Sequence, residues 1–132
     1  MASSADGIRS PYDRIGGMPV LRRITDRFYD LMETDPAYAG LRAMHAPDLA
    51  PMRASLPQFL AGWTGGPREW WDANPGKCMV SLHAPLGVTR ETARQWAEAM
   101  RRAFADADAA DADVAGALAD VLDTMATGMA RR

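Results

Sequence analysis

Two histidines, His45 and His83, are the only imidazole side chains among the 132 residues, and the single thiol is Cys78. One cysteine excludes an intrachain disulfide and a zinc site built from several cysteines. A metal site made of protein ligands alone needs more donors than this chain offers within plausible reach. A porphyrin, in contrast, supplies four nitrogens to iron, so one histidine suffices as the axial ligand. On composition alone, a loop histidine without a ligand is the simpler interpretation of His83.

Several classes of function lack support in the sequence. Phosphate-binding loops, dinucleotide-binding glycine motifs, nucleophile elbows and zinc-protease motifs are absent. Fifteen basic and seventeen acidic residues give a net charge of −2, which argues against nucleic acid as a partner. No apolar run is long enough to cross a membrane, and the first residues lack the pattern of a secretory signal. We therefore expect a cytoplasmic protein.

Apolar residues recur at helical spacing in four long segments, whereas the alternation typical of strands is nowhere sustained. The sequence therefore predicts an all-α fold with four substantial helices and short connecting pieces. We expect one domain of residues 11–132 after a disordered tail of residues 1–10. The apolar faces of the predicted helices comprise Leu21, Ile24, Phe28, Leu31 and Met32; Leu49, Met52, Leu56, Phe59, Leu60 and Trp63; Ala93, Trp96, Ala97, Met100 and Phe104; and Val114, Leu118, Val121, Leu122, Met125 and Met129.

Capping and helix-breaking residues predict where these helices begin, bend and end. Asp48 and Thr89 are expected to cap the second and third long helices. Pro57 should bend the second, and Gly40 should interrupt a short helix or turn just before it. Prolines and glycines make residues 67–88 the least regular part of the chain, where no regular helix is expected.

The order of several short motifs resembles that of a group II truncated haemoglobin, from about Tyr12 to about Phe104. The most specific features are Gly16-Gly17, Gly65-Gly66-Pro67 and the thirteen-residue step from His83 to Trp96. The others are Tyr12-Asp-Arg-Ile, Arg27-Phe-Tyr-Asp30, His45-Ala-Pro-Asp-Leu49, Phe59-Leu-Ala-Gly-Trp63 and Ser81-Leu-His-Ala-Pro85. The resemblance implies a shortened globin fold, a two-over-two helical sandwich with an extended loop that carries the proximal histidine.

The resemblance also implies a haem b cofactor and assigns roles to individual residues. His83 matches the proximal iron ligand, while Tyr29 and Trp96 match distal hydrogen-bond donors. His45 lies where many relatives carry tyrosine or phenylalanine. There its imidazole could donate to a bound ligand or accept from Tyr29, and an exposed corner histidine is the alternative. A tyrosine at the edge of a core and a packing tryptophan are the corresponding alternatives for Tyr29 and Trp96.

Apolar side chains are expected to form the walls of this implied haem site. Met52 stands where longer globins keep a distal histidine, and its thioether cannot donate a hydrogen bond. Further wall residues are Leu56 and Phe59 on the distal side and Met79, Leu82 and Leu86 on the proximal side. The basic run that relatives often carry before the proximal histidine is missing, which leaves Lys77 and Arg53 as candidate contacts for the haem propionates.

Three functions are compatible with these residues. The first is reversible binding of dioxygen or another diatomic ligand at five-coordinate iron, for transport or scavenging. The second is a haem-dependent peroxidase or nitric-oxide-converting enzyme that uses the same pocket, and the third is a haem-free sensor or adaptor. No flavin or nicotinamide motif occurs, so reduction of ferric iron would need a separate reductase. The oligomeric state is left open, a homodimer being one option.

Overall fold

The structure, a computed structural model, describes residues 9–76 and 87–129, and these are helical apart from short connections. No β-strand occurs in these two stretches, so the predicted all-α fold is confirmed. The helices are α1 (Pro11–Ile15), α2 (Gly17–Thr34), α3 (Ala39–Ala43), α4 (Ala50–Trp63), α5 (Glu69–Ala73), α6 (Arg90–Asp106) and α7 (Ala112–Gly128), with one 3₁₀ turn at Pro36–Tyr38.

Four long helices form the body of the domain in two pairs. Helix α2 packs against α4, α6 packs against α7, and the contact between α2 and α6 joins the pairs. The predicted apolar face of α2 is buried throughout, with Ile24 and Phe28 completely inaccessible to solvent. Each such side chain contributes about 1.5–3 kcal/mol of hydrophobic free energy when fully buried. The core therefore lies along the inner face of α2, as the helical spacing predicted.

Glycines at two places in the chain, Gly16 and Gly66, allow α1 to pack between α2 and the end of α4. Gly16 has a φ of 119°, a left-handed conformation that favours glycine and separates α1 from α2. The Tyr12 ring lies against Gly66, where a Cβ would come 2.6 Å from the ring atom Cγ. The backbone N–H of Tyr12 donates to the Thr64 carbonyl at 2.9 Å, and its hydroxyl accepts from the Met18 N–H at 3.1 Å.

Two local predictions about helix boundaries are wrong, while the third is confirmed. Helix α3 continues through Gly40, because the missing Cβ there makes room for the Gln95 amide. Helix α4 is capped at Leu49 rather than at Asp48, although Asp48 Oδ1 still accepts from the Ala50 N–H at 3.0 Å. Thr89 caps α6 as predicted and forms a reciprocal capping box with Thr92.

Tertiary packing also changes three expectations about apolar and irregular segments. Within residues 67–76, the short helix α5 forms where no helix was expected, and both of its tryptophans pack on Phe59. Val121 is 47% exposed, because α7 instead turns alanines and Leu122 toward the core. Met52 is also 39% exposed. Helix α4 runs through the buried Pro57, and the bend expected there stays a prediction.

Replacing Gly62 by alanine is expected to lower the free energy of unfolding by about 1–3 kcal/mol, the usual cost of overpacking. A Cβ at Gly62 would overlap the Trp71 ring, which is held by stacking on Phe59 and by its N–H donating to the Phe59 carbonyl. Urea denaturation measures the change. The matched control is Gly116→Ala on α7, where nothing lies within 4 Å of a new Cβ. The control should stabilise by about 0.5–1 kcal/mol. Equal stabilisation by both substitutions would contradict the packing argument.

Candidate functional site

An apolar cavity of about 280 Å³ lies among α3 and the corner that follows it, α4, α6 and α7. Most of its lining side chains are aliphatic, methionine or aromatic, and the polar exceptions are His45, Thr92 and the indole N–H of Trp96. Small-molecule and cofactor sites typically combine such an apolar lining with a few convergent polar groups. The lining comprises Leu41, Met44, His45, Ala46, Met52, Leu56, Phe59, Leu60, Val88, Thr92, Ala93, Trp96, Leu122, Met125, Ala126 and Met129.

The cavity brings together side chains that the sequence analysis singled out from three separate segments. They are His45, Met52, Leu56, Phe59 and Trp96. The predicted proximal residues lie outside the described residues, and so does the thiol of Cys78. These proximal residues are His83, Lys77, Met79, Leu82 and Leu86. The site assignment as a whole therefore stays a prediction, although the five distal residues just named share one cavity.

Tyr29 is buried on α2, next to the cavity but not among its lining residues. Its ring lies edge-on to Phe28 at 4.9 Å and to His45 at 6.2 Å between ring centroids. Within the two described stretches, no group forms a hydrogen bond to the Tyr29 hydroxyl. Burial raises the pKa of Tyr29 to about 12, and the positive charge of Arg53 partly opposes this shift. The hydroxyl therefore keeps its proton at neutral pH and is available as a donor.

The orientation of His45 is set by a hydrogen bond to the backbone of α3. Its Nδ1 lies 2.9 Å from the carbonyl oxygen of Leu41. Because a carbonyl can only accept, Nδ1 carries a proton, and in the neutral ring Nε2 is then the accepting nitrogen. The sequence analysis allowed His45 either to donate to a ligand or to accept from Tyr29. This geometry favours acceptance by the neutral ring.

Trp96 lies on α6, half-buried, with its side chain at the cavity wall. Its ring is edge-on to Phe28 with 5.6 Å between ring centroids, so α2 and α6 hold the indole between them. None of the described residues accepts a hydrogen bond from its N–H. An indole N–H is only a donor, so a polar atom inside the cavity would be its partner.

An aromatic cluster behind the cavity fixes the position of Phe59. The Phe59 ring stacks on Trp71 at 4.9 Å with an interplanar angle of 26°, and Trp70 lies edge-on to it at 5.2 Å. Trp71 also donates from its indole N–H to the Phe59 carbonyl at 3.1 Å. Offset or edge-on aromatic pairs of this kind contribute about 0.5–1.5 kcal/mol beyond buried area. Helix α5 thereby makes Phe59 a rigid part of the wall.

The other candidate for a propionate contact, Arg53, is engaged elsewhere in the structure. Its guanidinium forms ion pairs with Asp26, Asp30 and Glu33 on α2 at 2.8–3.2 Å. It also lies 5.8 Å from the centre of the Tyr29 ring. Arg53 therefore joins α4 to α2 and covers Tyr29, and a contact to a propionate would require it to leave these carboxylates.

Helix α7 provides a wall that the sequence analysis did not assign to the site. Leu122, Met125, Ala126 and Met129 line the cavity from this helix. Their spacing of three and four residues marks one helical face, which was visible in the sequence as a core face. Spacing alone does not distinguish a face that packs on a neighbour from one that borders a cavity.

Residues 9–76 and 87–129 offer neither a metal site of their own nor a membrane-spanning helix. No group of three or more His, Cys, Asp or Glu side chains there could hold a metal ion. No helix in this part of the chain has the length and apolar character needed to span a membrane.

Fold and cavity together define the class of protein. A small all-helical domain whose long helices enclose an apolar cavity with a few polar groups is suited to hold a large apolar ligand or prosthetic group. Residues 10–130 match the family of bacterial-like globins, and the chain belongs to this family. Membership of a globin family implies haem binding.

Solved structures of truncated haemoglobins share the fold over nearly their full length. The group II 2-on-2 haemoglobin from the plant pathogen Agrobacterium tumefaciens is 27% identical, with a TM-score of 0.89, covering 99% of this chain and 98% of that chain. The cold-adapted truncated haemoglobin from the Antarctic marine bacterium Pseudoalteromonas haloplanktis is 26% identical, with a TM-score of 0.88 and coverage of 94% and 99%. The haemoglobin from the thermophilic phototrophic bacterium Chloroflexus aurantiacus is 27% identical, with a TM-score of 0.85 and coverage of 95% and 100%. These similarities confirm the predicted two-over-two truncated globin fold.

The described residues fit a haem group. The cavity lining is mostly apolar, as the face of a porphyrin requires, and none of the lining side chains is an Asp, Glu, Lys or Arg. The protonated Tyr29 hydroxyl has no hydrogen-bond partner in the described part of the chain, and its ring lies edge-on to that of the cavity residue His45. Such a buried donor is expected where a polar ligand binds inside an apolar pocket.

Proposed function

We propose that this chain is a haem b globin that binds dioxygen and other diatomic ligands at a five-coordinate iron held by His83. The observation that carries the proposal is the apolar cavity lined by His45, Leu56, Phe59 and Trp96, which come from three separate segments. Burial of a porphyrin against such walls is favourable, at about 25 cal/mol for each Å² of apolar surface removed from water.

In this proposal, the distal residues stabilise the bound ligand through hydrogen bonds. When bound, haem supplies an iron atom that binds a diatomic ligand and makes its outer atom a hydrogen-bond acceptor. Trp96 offers its indole N–H from the cavity wall, and Tyr29 offers a hydroxyl whose pKa of about 12 keeps it protonated. His45 adds an imidazole at the cavity, edge-on to the Tyr29 ring at 6.2 Å between ring centroids. Met52, Leu56 and Phe59 limit access of water to these donors.

The proximal side of the proposed site rests on the resemblance. There His83 is the iron ligand, Met79, Leu82 and Leu86 form the wall, and Lys77 contacts a propionate. We further infer oxygen transport or scavenging in the cytoplasm, with a separate reductase that returns ferric iron to the ferrous state.

The test is a titration of the purified apoprotein with haemin, followed by absorbance in the Soret region. We expect saturation at one haem per chain and, after reduction without oxygen, the spectrum of five-coordinate ferrous iron. Absence of a Soret band from the folded protein would contradict the proposal and favour a haem-free sensor or adaptor.

A pair of variants on α7 locates the binding site. Ala126 is buried and lines the cavity, so Ala126→Phe fills space that haem needs and should weaken haem binding at least about tenfold. Val121 on the same helix is 47% exposed and does not line the cavity, so Val121→Phe should leave binding unchanged. Circular dichroism confirms that both variants are folded. Equal haem affinity for the two would place the haem elsewhere.

A further inference from the structure

We propose that Gln95 is the positioning residue for His45, and that it acts through the backbone of Leu41. This inference rests on the proposed haem function, because it concerns how one distal side chain is held at the ligand pocket. Gln95 does not line the cavity, so its influence on the ligand pocket is indirect.

Gln95 is a buried polar residue on α6 and is 7% exposed. Its Oε1 accepts a hydrogen bond from the Leu41 N–H at 2.8 Å, and its Nε2 donates to the Glu91 carboxylate at 3.1 Å. Hydrogen bonds from Arg94 and Gln95 lower the pKa of Glu91 to about 2, so this carboxylate is ionised at neutral pH. The Gln95 amide is therefore held at both its oxygen and its nitrogen, with the oxygen directed at α3.

Helix α3 is shaped to receive this amide. A Cβ on Gly40 would lie 3.3 Å from Gln95 Nε2 and 3.4 Å from Oε1, which is tighter than ordinary side-chain packing. Glycine at this position therefore lets α3 approach α6 closely enough for the bond to Leu41. This close approach explains why a glycine stands inside a short helix that it does not interrupt.

Leu41 connects the two side chains. Its N–H is bound by Gln95, and its carbonyl oxygen accepts from His45 Nδ1 at 2.9 Å. Both bonds are made by the backbone of one 3% exposed residue in the five-residue helix α3, whose carbonyl also accepts from the Met44 N–H at 3.1 Å. The bond from Gln95 therefore holds the short segment that carries this carbonyl against α6, and with it the acceptor for His45 Nδ1.

The experiment is a double-mutant cycle on the haem-loaded protein, with carbon monoxide as the ligand and its C–O stretching frequency as the readout. This frequency reports the polarity close to the bound ligand and does not respond to stability as such. Gln95→Met keeps the side-chain length but removes the acceptor for Leu41. We expect the C–O band of Gln95→Met to shift or split, because the backbone segment that carries the acceptor for His45 Nδ1 is held less firmly.

The same substitution in a His45→Phe background should leave the band where His45→Phe alone places it. A shift of equal size in both backgrounds, or no shift in either, would overturn the positioning role. Tyr38→Phe is the control for a general loss of stability around α6. It removes the hydrogen bonds of the Tyr38 hydroxyl with Glu98 and Arg102 and leaves the bond between Gln95 and Leu41 unchanged. It should lower stability and leave the band in place. A missing Soret band in every variant and in the parent would instead refute the haem function itself.

Discussion

Replacement of His83 by glycine is expected to abolish stable haem binding or to weaken it by more than about 100-fold. Loss of a residue that only supports a metal ligand already lowers metal affinity roughly 10–100-fold, and His83 is the proposed ligand itself. The physical reason is that haem lacks any other protein bond to iron in the proposed site. Hydrophobic contacts with the cavity walls would still attract the porphyrin, but they do not coordinate the metal. The measurement is the rate of haem transfer to a haem-scavenging protein, followed in the Soret band.

Two additional measurements separate coordination from a general loss of structure. Imidazole added to the His83→Gly variant should enter the space left by the side chain, restore haem retention and return the spectrum of an imidazole-ligated iron. His45→Gly removes the other histidine and should retain haem. If His83→Gly binds haem with an unchanged spectrum, or if His45→Gly is the variant that loses it, the proximal assignment is wrong.

Combined replacement of Tyr29 and Trp96 by phenylalanine is expected to accelerate dissociation of dioxygen from the ferrous protein at least about tenfold. A good hydrogen bond to a charged or strongly polarised acceptor contributes about 1–3 kcal/mol, and 1.4 kcal/mol corresponds to a factor of ten. Both positions keep an aromatic ring beside Phe28 in the variant, and the Trp63→Phe control measures the effect of shortening a tryptophan by itself. Stopped-flow mixing of the oxygenated protein with a ligand trap measures the rate.

Matched controls exist for both substitutions. Tyr38→Phe removes a hydroxyl that is bonded to Glu98 on α6, and Trp63→Phe changes a half-buried tryptophan on α4 that does not line the cavity. These controls should release dioxygen at the parent rate. An unchanged rate in the Tyr29→Phe, Trp96→Phe double variant would exclude these side chains as ligand-stabilising donors. Turnover of peroxide or nitric oxide by the parent protein, measured in the same apparatus, tests the enzymatic alternative.

The long helices could be predicted because helix formation leaves a local signature. The steps of three and four residues along α2 place Leu21, Ile24 and Phe28 on one face, and that face is buried. Thr89 likewise predicts the start of α6 from capping chemistry alone, and the structure adds its reciprocal bond with Thr92. Such features depend on neighbours within one or two turns, so they can be seen without knowing the rest of the fold.

The predictions about Gly40 and about the segment that forms α5 were wrong because both depend on residues distant in the sequence. Gly40 is read locally as a helix breaker, but its missing Cβ is used by Gln95, which lies 55 residues later in the sequence. Helix α5 is too short to be stable by itself, and the contacts of Trp70 and Trp71 with Phe59 on α4 hold it in place. These outcomes are set by packing between helices, which a local sequence pattern does not show.

The sequence by itself determined the all-helical class, the apolar face of α2 and, through its motifs, the likeness to truncated haemoglobins. Only the tertiary structure decided that His45, Phe59 and Trp96 border one cavity, that α7 closes it, and that Arg53 is held by the carboxylates of α2. It also decided the proton position on His45, through the Leu41 carbonyl. The reason is physical: spacing along a helix shows which side is apolar, whereas the relative placement of helices fixes which apolar sides touch and which leave room for a ligand.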